Sequence, residues 1–283
     1  MIDLKVIIGN IGKLKPLPQV ANRIMELAAD PKSSLAELSE VISYDQALTA
    51  NLLRVCNSTY FGLSRQIESI HQAVLILGMD QVVDLILLSG AAENLKNVEK
   101  GYDLSKGDLW RYSVASAILA RDIAERKGIR NNHMIFTAAL LKDIGKAVLA
   151  DCVAESFEQI NRLVTEQGMS FREAEKQAIG IDHAELGAMI ALKWKFSPKM
   201  VAIIKNHHPA VDASYDYDLE TCIIHLADIL CMTMGIGVGA DGLAYRFNQE
   251  MMAKLGFSER NLFEIIAAFG EKLQQVEELI SLS

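Results

Sequence analysis

Proline and glycine are scarce in this sequence, with 5 Pro and 18 Gly among 283 residues. Aromatic residues make up only 6%, whereas 51% of the residues are apolar. A chain with this much apolar material can offset the conformational entropy that it loses on folding. The composition therefore excludes a disordered or a collagen-like protein, and the length allows one large core or two ordinary ones.

Positive charge is in deficit and is not clustered. The 28 Lys and Arg residues are outnumbered by 36 Asp and Glu residues, which gives a formal net charge of −8. No basic run is longer than the pair Arg126–Lys127. Broad nucleic-acid binding requires clustered cations that contact phosphates, so no nucleic-acid partner is expected.

Signals for export or membrane insertion are also missing. The N-terminal residues MIDLKVIIGNIGKLK lack the long apolar run and the small-residue cleavage site of a signal peptide. The nearest approach to a membrane span is Thr221–Ala240, but it contains His225 and Asp228, and a mid-span Asp costs about 3 kcal/mol. We expect a buried helix there and no contact with a membrane.

The four cysteines are dispersed and form no Cys-x-x-Cys pair: Cys56, Cys152, Cys222 and Cys231. This pattern favours buried free thiols over a metal site, and it is typical of a cytoplasmic protein.

Apolar residues recur every three to four positions almost throughout, and no alternating run of five or more residues is present. Helix starts of the capping-box type occur at Ser34–Glu37, Ser69–Gln72 and Ser170–Glu173. The sequence therefore predicts an all-α protein. The polar stretch Asn94–Gly107 is the best boundary, so we predict an N-terminal helical subdomain over 1–100 and a C-terminal one over 101–283.

Potential metal ligands are scattered over the C-terminal region: Asp143, His183, His207, His208 and Asp228. Imidazoles and carboxylates bind Zn²⁺, Fe and Mn²⁺, but no spacing here forms a compact motif, so several helices would have to converge. The alternatives are ordinary. His207 and His208 could cap a helix C-terminus, and His183 could lie at a helix start without a partner.

Longer stretches carry a family resemblance. The N-terminal half reads Pro16-Leu-Pro18, then DQALTANLLRVCNSTYFG and IESIHQAVLILGMDQVVDLIL; further on come LWRYSVASAILAR, AALLKDIGKAVL, IDHAELGAMIALKW, IIKNHHP and HLADIL. Together these motifs closely resemble the HDOD domain, a bacterial signalling module related to the HD phosphohydrolases. The resemblance implies a multi-helix bundle with an HD-like helical core in the C-terminal half.

The resemblance also locates a metal site from which this sequence departs. In metal-binding HD relatives, histidines stand at the positions that match Tyr112 and Lys142 here. The other ligand positions of related phosphodiesterases match Asp143, His183, His207, His208 and Asp228. We therefore expect a vestigial site with no catalytic residue, no cofactor and no metal at full occupancy. A residual divalent ion at the five matching residues is left open.

The two replacements are poor metal ligands for different reasons. A tyrosine phenol has a pKa near 10 and binds a metal only after it loses its proton. A lysine ammonium has no lone pair with which to bind a metal, and it also repels one. Two unit positive charges 4 Å apart repel each other by about 4 kcal/mol at an effective dielectric near 20, and a divalent ion roughly doubles this repulsion. Without a metal to lower the pKa of a bound water, hydrolysis has no nucleophile at neutral pH.

The lysines themselves have two interpretations each. Lys142 could point into the ligand cluster and act as a built-in counter-charge for Asp143 and Asp228, or it could extend to solvent at its helix end. Lys146, in the same Lys-Asp-Ile-Gly-Lys run, could contact an anion or lie at a solvated helix terminus.

Three functions follow from these observations. The leading one is a non-catalytic regulatory or scaffold protein of bacterial signal transduction, whose partners are other signalling proteins. The alternative is a metal-dependent phosphohydrolase that acts on a nucleotide or cyclic dinucleotide through the altered site. The third is a sensor that binds a small nucleotide without turnover, with Lys142 and Lys146 on its phosphates.

Overall fold

The structure is a computed structural model, and it describes residues 4–15, 19–30, 32–98, 101–129, 132–208, 217–240, 242 and 249–282. The motif Pro16-Leu-Pro18 lies outside these ranges. Within them the chain forms helices and no β-strand, which confirms the all-α prediction. The first helices are α1 (Leu4–Asn10), α2 (Gln19–Ala29), α3 (Leu35–Ser43), α4 (Gln46–Cys56), α5 (Ile70–Leu77) and α6 (Met79–Leu95). The later ones are α7 (Asp108–Arg126), α8 (His133–Leu141), α9 (Lys146–Gln167), α10 (Phe171–Ile179), α11 (His183–Lys193), α12 (Pro198–Asn206), α13 (Leu219–Thr233), α14 (Gln249–Leu255) and α15 (Glu259–Leu282).

Local signals start several of these helices where the sequence predicts. Capping boxes at Ser34 and Ser170 begin α3 and α10, since each serine side chain accepts from the backbone N–H three residues later and the glutamate there accepts in return. At α5 the serine cap is present, but the Gln72 side chain accepts from the backbone N–H of Glu68 instead of Ser69. These starts are determined by residues within four positions of one another.

The chain forms two compact units. The first consists of Met1–Lys15 and Asn94–Phe269, and the second of Pro16–Glu93 and Gly270–Ser283. The division predicted between residues 100 and 101 stays a prediction. Each unit is built from two separate stretches of the chain. The reason is long-range packing: α1 packs on α9, and the Asn94 side chain accepts from the Lys15 N–H and donates to the Lys15 carbonyl.

The core of the first unit surrounds α8. Helix α7 packs on α8 and α13, α11 packs on α12, and α9 packs on α10. Every side chain of α8 from Ile135 to Leu141 is buried. Because the end of α8 is buried, the residues that directly follow it, Lys142 and Asp143, also lie in the interior.

Helix α13 contains residues 221–233 of the stretch that comes nearest to a membrane span in sequence, and its His225 and Asp228 side chains are buried. In the described part of the chain, no single helix is long and apolar enough to cross a bilayer. Only α5 and α6 taken together pass that test, on length and composition, and they are bent by 120°.

All four cysteines are free thiols. Cys56, Cys222 and Cys231 are buried as predicted, whereas Cys152 is only half-buried. The difference arises because Cys152 lies on α9, whose buried positions near it are Leu149 and Val153.

Candidate functional site

Lys142 lies between two carboxylates in the interior of the first unit. Its Nζ is 2.6 Å from Asp228 Oδ1 and forms a second ion pair with Asp143 Oδ2. All three side chains are 0% exposed. Of the two positions that the sequence left open for Lys142, the structure shows the inward one, and the solvent-directed one is wrong because α8 leaves no exposed face at its end.

Tyr112, on α7, completes this part of the site as a hydrogen-bond donor. Its hydroxyl donates to Asp228 Oδ1, and Lys142 Nζ lies 4.2 Å from the centre of its ring. The ring face therefore attracts the ammonium while the hydroxyl neutralises part of the carboxylate charge. A protonated phenol in this position offers no ligand to a metal.

Lys146, at the first position of α9, supplies a second buried ammonium. Its Nζ is 2.9 Å from Asp143 Oδ1, and the side chain is 2% exposed. The expectation of a solvated helix terminus is therefore wrong, and the charge that was considered for an external anion already faces Asp143. The ammonium groups of Lys142 and Lys146 neutralise the carboxylates of Asp143 and Asp228. The protein itself thus supplies the positive charge that a divalent ion would bring.

His183 begins α11 and is held by a glutamate that sequence reasoning did not identify. Asp182 caps the helix, and His183 contacts Glu175 Oε2 through its backbone N at 3.1 Å and through Nδ1 at 2.6 Å. Tyr102 donates to the other oxygen, Oε1, at 2.6 Å. The alternative of a helix-start histidine without a partner is therefore wrong, and the Nε2 atom is left to face the site.

His207 and His208 follow α12 and present ring nitrogens to the same cluster. His207 Nδ1 lies 2.7 Å from the Ile204 carbonyl, to which it donates, so this residue does cap its helix as the alternative proposed. Its Nε2 is 3.9 Å from Asp143 Oδ1. His208 Nε2 lies 3.0 Å from His183 Nε2. Capping and a position in the cluster are thus compatible, because the two nitrogens of one ring face opposite ways.

Arg172 and His225 fix the backbone around these histidines. Arg172 donates to Asp182 Oδ2 at 2.8 Å and to the His208 carbonyl at 3.1 Å. His225 Nδ1 lies 3.2 Å from the His207 carbonyl. His225 is buried and contacts the site through the His207 carbonyl.

Helices α9, α11 and α12 can approach this closely because two glycines lie at the contacts. A Cβ on Gly145 would be 2.0 Å from the His183 carbonyl oxygen, and one on Gly187 would be 3.2 Å from Ile204 and 3.4 Å from the Lys142 carbonyl oxygen. Close approach of backbones is the role for which glycine is suited. Gly145 thus lets Asp143 and His183 share one site.

The charges in the cluster shift its pKa values strongly. Burial is the largest single effect on Asp143 and Asp228 and opposes their ionisation, but the neighbouring groups, with the Lys142 ammonium first among them, together outweigh it and lower the pKa of both carboxyls. Burial likewise opposes the charge of Lys142, yet the two carboxylates raise its pKa. These three groups are therefore ionised together at neutral pH.

The histidines divide into two kinds. Burial lowers the pKa of His207 to about 3, and it lowers the pKa of His208 and His225 as well. Burial also disfavours the charge on His183, but Glu175 outweighs it and raises the pKa. His207, His208 and His225 are thus neutral at pH 7, with a lone pair on one ring nitrogen each.

The residues fit one divalent ion and not two. Asp143, His183, His207 and His208 each offer one ligand atom, and these atoms lie within 4.8 Å of one another. Three imidazoles and a carboxylate suit Zn²⁺, Fe²⁺ or Mn²⁺. At the neighbouring position, between Asp143 and Asp228, the Lys142 ammonium and the Tyr112 hydroxyl fill the space. A metal does not fit there.

Sequence reasoning missed Glu175, Tyr102 and Arg172. Glu175 had one detectable signal: it lies on the buried face of α10, with Phe171, Ala174 and Ile179. A glutamate at an apolar-face position is almost never buried unless it is paired. The sequence within α10 does not reveal that the partner is His183.

Comparison with known proteins agrees with this architecture. A protein of Treponema pallidum (strain Nichols) without a characterised function is 23% identical over 211 residues, which are 72% of this chain and 40% of that protein. The crystal structure of an HDOD domain protein of unknown function from Geobacter sulfurreducens is 24% identical, with a TM-score of 0.76 over 98% of this chain and 99% of the other. A protein from Marinobacter aquaeolei VT8, provisionally named a signal transduction protein, is 21% identical, with a TM-score of 0.76 over 95% of this chain and 60% of the other.

At these sequence identities, the two crystal structures are evidence for the fold alone. The sequence pattern of the HDOD domain matches residues 14–210, which are most of the chain. The motifs of the N-terminal half and the cluster around Asp143 both fall within this range. The chain therefore belongs to the HDOD domain family.

Proposed function

We propose that this protein is a non-catalytic regulatory or scaffold protein of signal transduction, which acts through contacts with partner signalling proteins. The observation that carries the proposal is the position of the Lys142 ammonium between Asp143 and Asp228. HD relatives that hydrolyse phosphoesters need a metal at that position. An ammonium there neutralises the two carboxylates without providing an open coordination position.

The chemistry of hydrolysis explains why this substitution abolishes turnover. A metal-bound water reaches a pKa near 7, whereas bulk water has a pKa near 15.7. Lys142 cannot coordinate a water oxygen, and Tyr112 donates its proton to Asp228 rather than activating a nucleophile. The site thus keeps the charge balance of a metal centre and lacks its nucleophile.

A paired lysine also argues against the nucleotide-sensor alternative. Lys142 is 0% exposed and Lys146 is 1% exposed, and each lies against a carboxylate. A phosphate would have to displace Asp143 or Asp228 and leave a buried carboxylate without its partner, at a cost of about 3–5 kcal/mol. Protein partners, which bind to the outer surface, do not meet this cost.

Phosphodiester hydrolysis tests the proposal directly. Purified full-length protein with Mn²⁺ should hydrolyse bis(p-nitrophenyl) phosphate and a cyclic dinucleotide no faster than the Asp143→Asn variant does. A metal-dependent rate in the wild type that Asp143→Asn abolishes would contradict the proposal and support the phosphohydrolase alternative.

Restoring the two histidines tests the role of Lys142. We expect Tyr112→His with Lys142→His to raise the metal content by about one ion per chain, because the blocking ammonium is replaced by two imidazoles. The matched control is Tyr44→His with Lys199→His, which adds the same side chains at a residue that is 79% exposed and at an exposed ion pair. Equal metal content in the two double variants would contradict the inference that the Lys142 ammonium keeps a metal out of the site.

A further inference from the structure

We propose that two copies of this chain form a dimer through neighbouring surfaces of opposite charge on the first unit. One surface, the lysine face, consists of residues 4–15, which include α1, and residues 192–195 at the end of α11. The other, the acidic face, consists of Asp151, Glu155 and Glu158 on α9. In the dimer, the lysine face of each copy contacts the acidic face of the other. This inference goes beyond the proposed function and does not depend on it.

The lysine face differs from the rest of the protein in its charge. Residues 4–15 and 186–206 contain seven lysines and no Asp or Glu. Because the whole chain has 28 Lys and Arg and 36 Asp and Glu, the rest of it holds 21 cationic residues against 36 acidic ones. Of the seven lysines, Lys199 is already paired with Glu220, and it lies outside the lysine face. Positive charge is thus concentrated in one part of an acidic protein, as at surfaces that bind an oppositely charged partner.

Helix α1 has apolar side chains on both of its sides. Ile7 is buried in the first unit. Leu4 and Ile8 are each 40% exposed, and Val6 is 59% exposed. A surface helix normally places polar residues on its outer side, and a helix that is apolar all round is normally covered. Leu192, at the end of α11, is 67% exposed, and exposed aliphatic side chains that lie together are typical of an interaction site.

Two close approaches place α1 beside α11. A Cβ on Gly180, shortly before α11, would lie 3.6 Å from the Leu4 side chain. A Cβ on Gly12, shortly after α1, would lie 3.8 Å from Nζ of Lys193, which is the last residue of α11. The start of α1 is therefore near the start of α11, and the residues after α1 are near its end. The exposed aliphatic side chains and the lysines of these two elements are thus neighbours.

The acidic face lies on α9, the helix on which α1 packs. Asp151, Glu155 and Glu158 are all exposed, and their spacing of four and three residues puts them on one side of the helix. Since α1 lies against α9 and beside α11, a lysine-rich surface and a carboxylate-rich surface occur next to each other on the same unit.

A surface with these two parts is complementary to itself. In a dimer with two-fold symmetry, both copies use the same surface and every contact occurs twice. The lysines of one copy then meet the carboxylates of the other at two places, whereas a surface of a single sign repels its own copy. An anionic membrane would attract the lysine face but repel the acidic face beside it, so a second copy is the occupant that suits both.

Sedimentation velocity of the full-length protein tests the proposal. At low salt we expect a dimer, with twice the 31.2 kDa mass of one chain. Its dissociation constant should rise at least 10-fold in about 1 M NaCl, where the Debye length is about 3 Å. A monomer at every concentration up to about 1 mM, or a dimer whose dissociation constant does not change with salt, would overturn the inference.

Charge reversal tests the pairing of the two faces. The first triple variant replaces three lysines of the lysine face by glutamate: Lys13→Glu, Lys193→Glu and Lys195→Glu. The second replaces the three carboxylates of the acidic face by lysine: Asp151→Lys, Glu155→Lys and Glu158→Lys. Each triple variant alone should dimerise about 100-fold more weakly than the wild type, because like charges then meet at both contacts. An equimolar mixture should form a heterodimer, in which opposite charges again meet, and a mixture that stays monomeric would contradict the pairing.

The apolar part of the lysine face has its own matched control. Val6→Ser with Leu192→Ser should weaken dimerisation at least about 10-fold. Leu75→Ser with Ile76→Ser changes aliphatic side chains of the second unit that are 58% and 56% exposed, and it should leave dimerisation unchanged. Melting temperatures show whether each variant folds. Equal dissociation constants for the two folded variants would exclude the lysine face from the interface.

Flotation with phosphatidylglycerol vesicles addresses the other occupant. We expect no binding that depends on Lys13 and Lys193, because the acidic face is repelled by the same lipids. Binding of a monomeric protein that is lost in the first triple variant would overturn the dimer and assign the lysine face to a membrane.

Discussion

Lys142 is a charged residue with no exposed surface, and its environment explains how the protein tolerates it. The ammonium contacts Asp143, Asp228 and the face of the Tyr112 ring. A buried ion pair is weak evidence for net stability, because desolvation offsets much of the attraction, but removal of one partner leaves an uncompensated charge. At the scale of single residues, this site is therefore more sensitive to loss of one charge than to loss of the whole pair.

Truncation of this charge should destabilise the fold. Lys142→Met keeps the length of the side chain and removes the ammonium, so we expect a loss of about 3–5 kcal/mol in the free energy of unfolding, measured by urea denaturation in chelator. Lys142→Met combined with Asp228→Asn should lose less than the sum of the two single changes.

Lys199→Met is the matched control, because Lys199 forms a pair with Glu220 at the surface. An exposed pair contributes about 0.2–1 kcal/mol. If Lys142→Met cost no more than Lys199→Met, the counter-charge role of Lys142 would be refuted.

At the scale of elements, the site depends on how closely the start of α9 approaches the start of α11. Gly145 lies at the closest point, where a methyl group would overlap the carbonyl oxygen of His183. Backbone on both sides cannot move as a flexible side chain can. The tight turn from Lys142 to Gly145 and the N-terminus of α11 are thus held together by the absence of a side chain.

Gly145→Ala should destabilise the protein by about 1–3 kcal/mol through overpacking, because the added methyl group forces Asp143 and His183 apart. Gly270→Ala is the control, since no atom lies within 4 Å of a Cβ placed there in α15. That change should raise stability by about 0.5–1 kcal/mol. Thermal denaturation of both variants measures these changes in stability. Equal changes in Gly145→Ala and Gly270→Ala would contradict the explanation by close backbone contact.

At the scale of the whole molecule, the buried histidines couple the folded state to pH. The pKa of His207 is lowered to about 3 by burial, and the pKa values of His208 and His225 are lowered in the same way. Below about pH 6.5 these histidines become protonated in the unfolded chain but stay neutral in the folded protein. The free energy of unfolding therefore falls as the pH decreases below about 6.5. His183 does not oppose this trend, because its raised pKa keeps it charged in both states below that pH.

The free energy of unfolding of the metal-free protein should therefore drop between pH 6.5 and 4.5. Each buried neutral histidine contributes a slope of up to about 1.4 kcal/mol per pH unit. His207→Gln should flatten the curve by about one proton, whereas His71→Gln, at an exposed position, should leave it unchanged. Urea denaturation at several pH values measures the slope, and parallel curves for the wild type and His207→Gln would contradict the prediction.

The sequence by itself determined the helical class and several helix starts. The capping boxes at Ser34 and Ser170 need only residues three positions apart. The resemblance to the HD relatives also singled out Tyr112 and Lys142 as the positions that depart from the ligand pattern and Asp143 as one that keeps it, because each is recognised from its immediate neighbours in the chain.

Only the tertiary structure decided what those residues do. Lys142 points inward because α8 is buried on every side, and Tyr112 donates to an aspartate 116 residues away. Glu175, which meets Tyr102 across 73 positions, was not foreseen at all. Each of the two units is likewise built from stretches that are far apart in the chain. Local patterns specify helices, whereas charge pairing in an interior depends on which distant helices pack together, and that is settled only when the whole core forms.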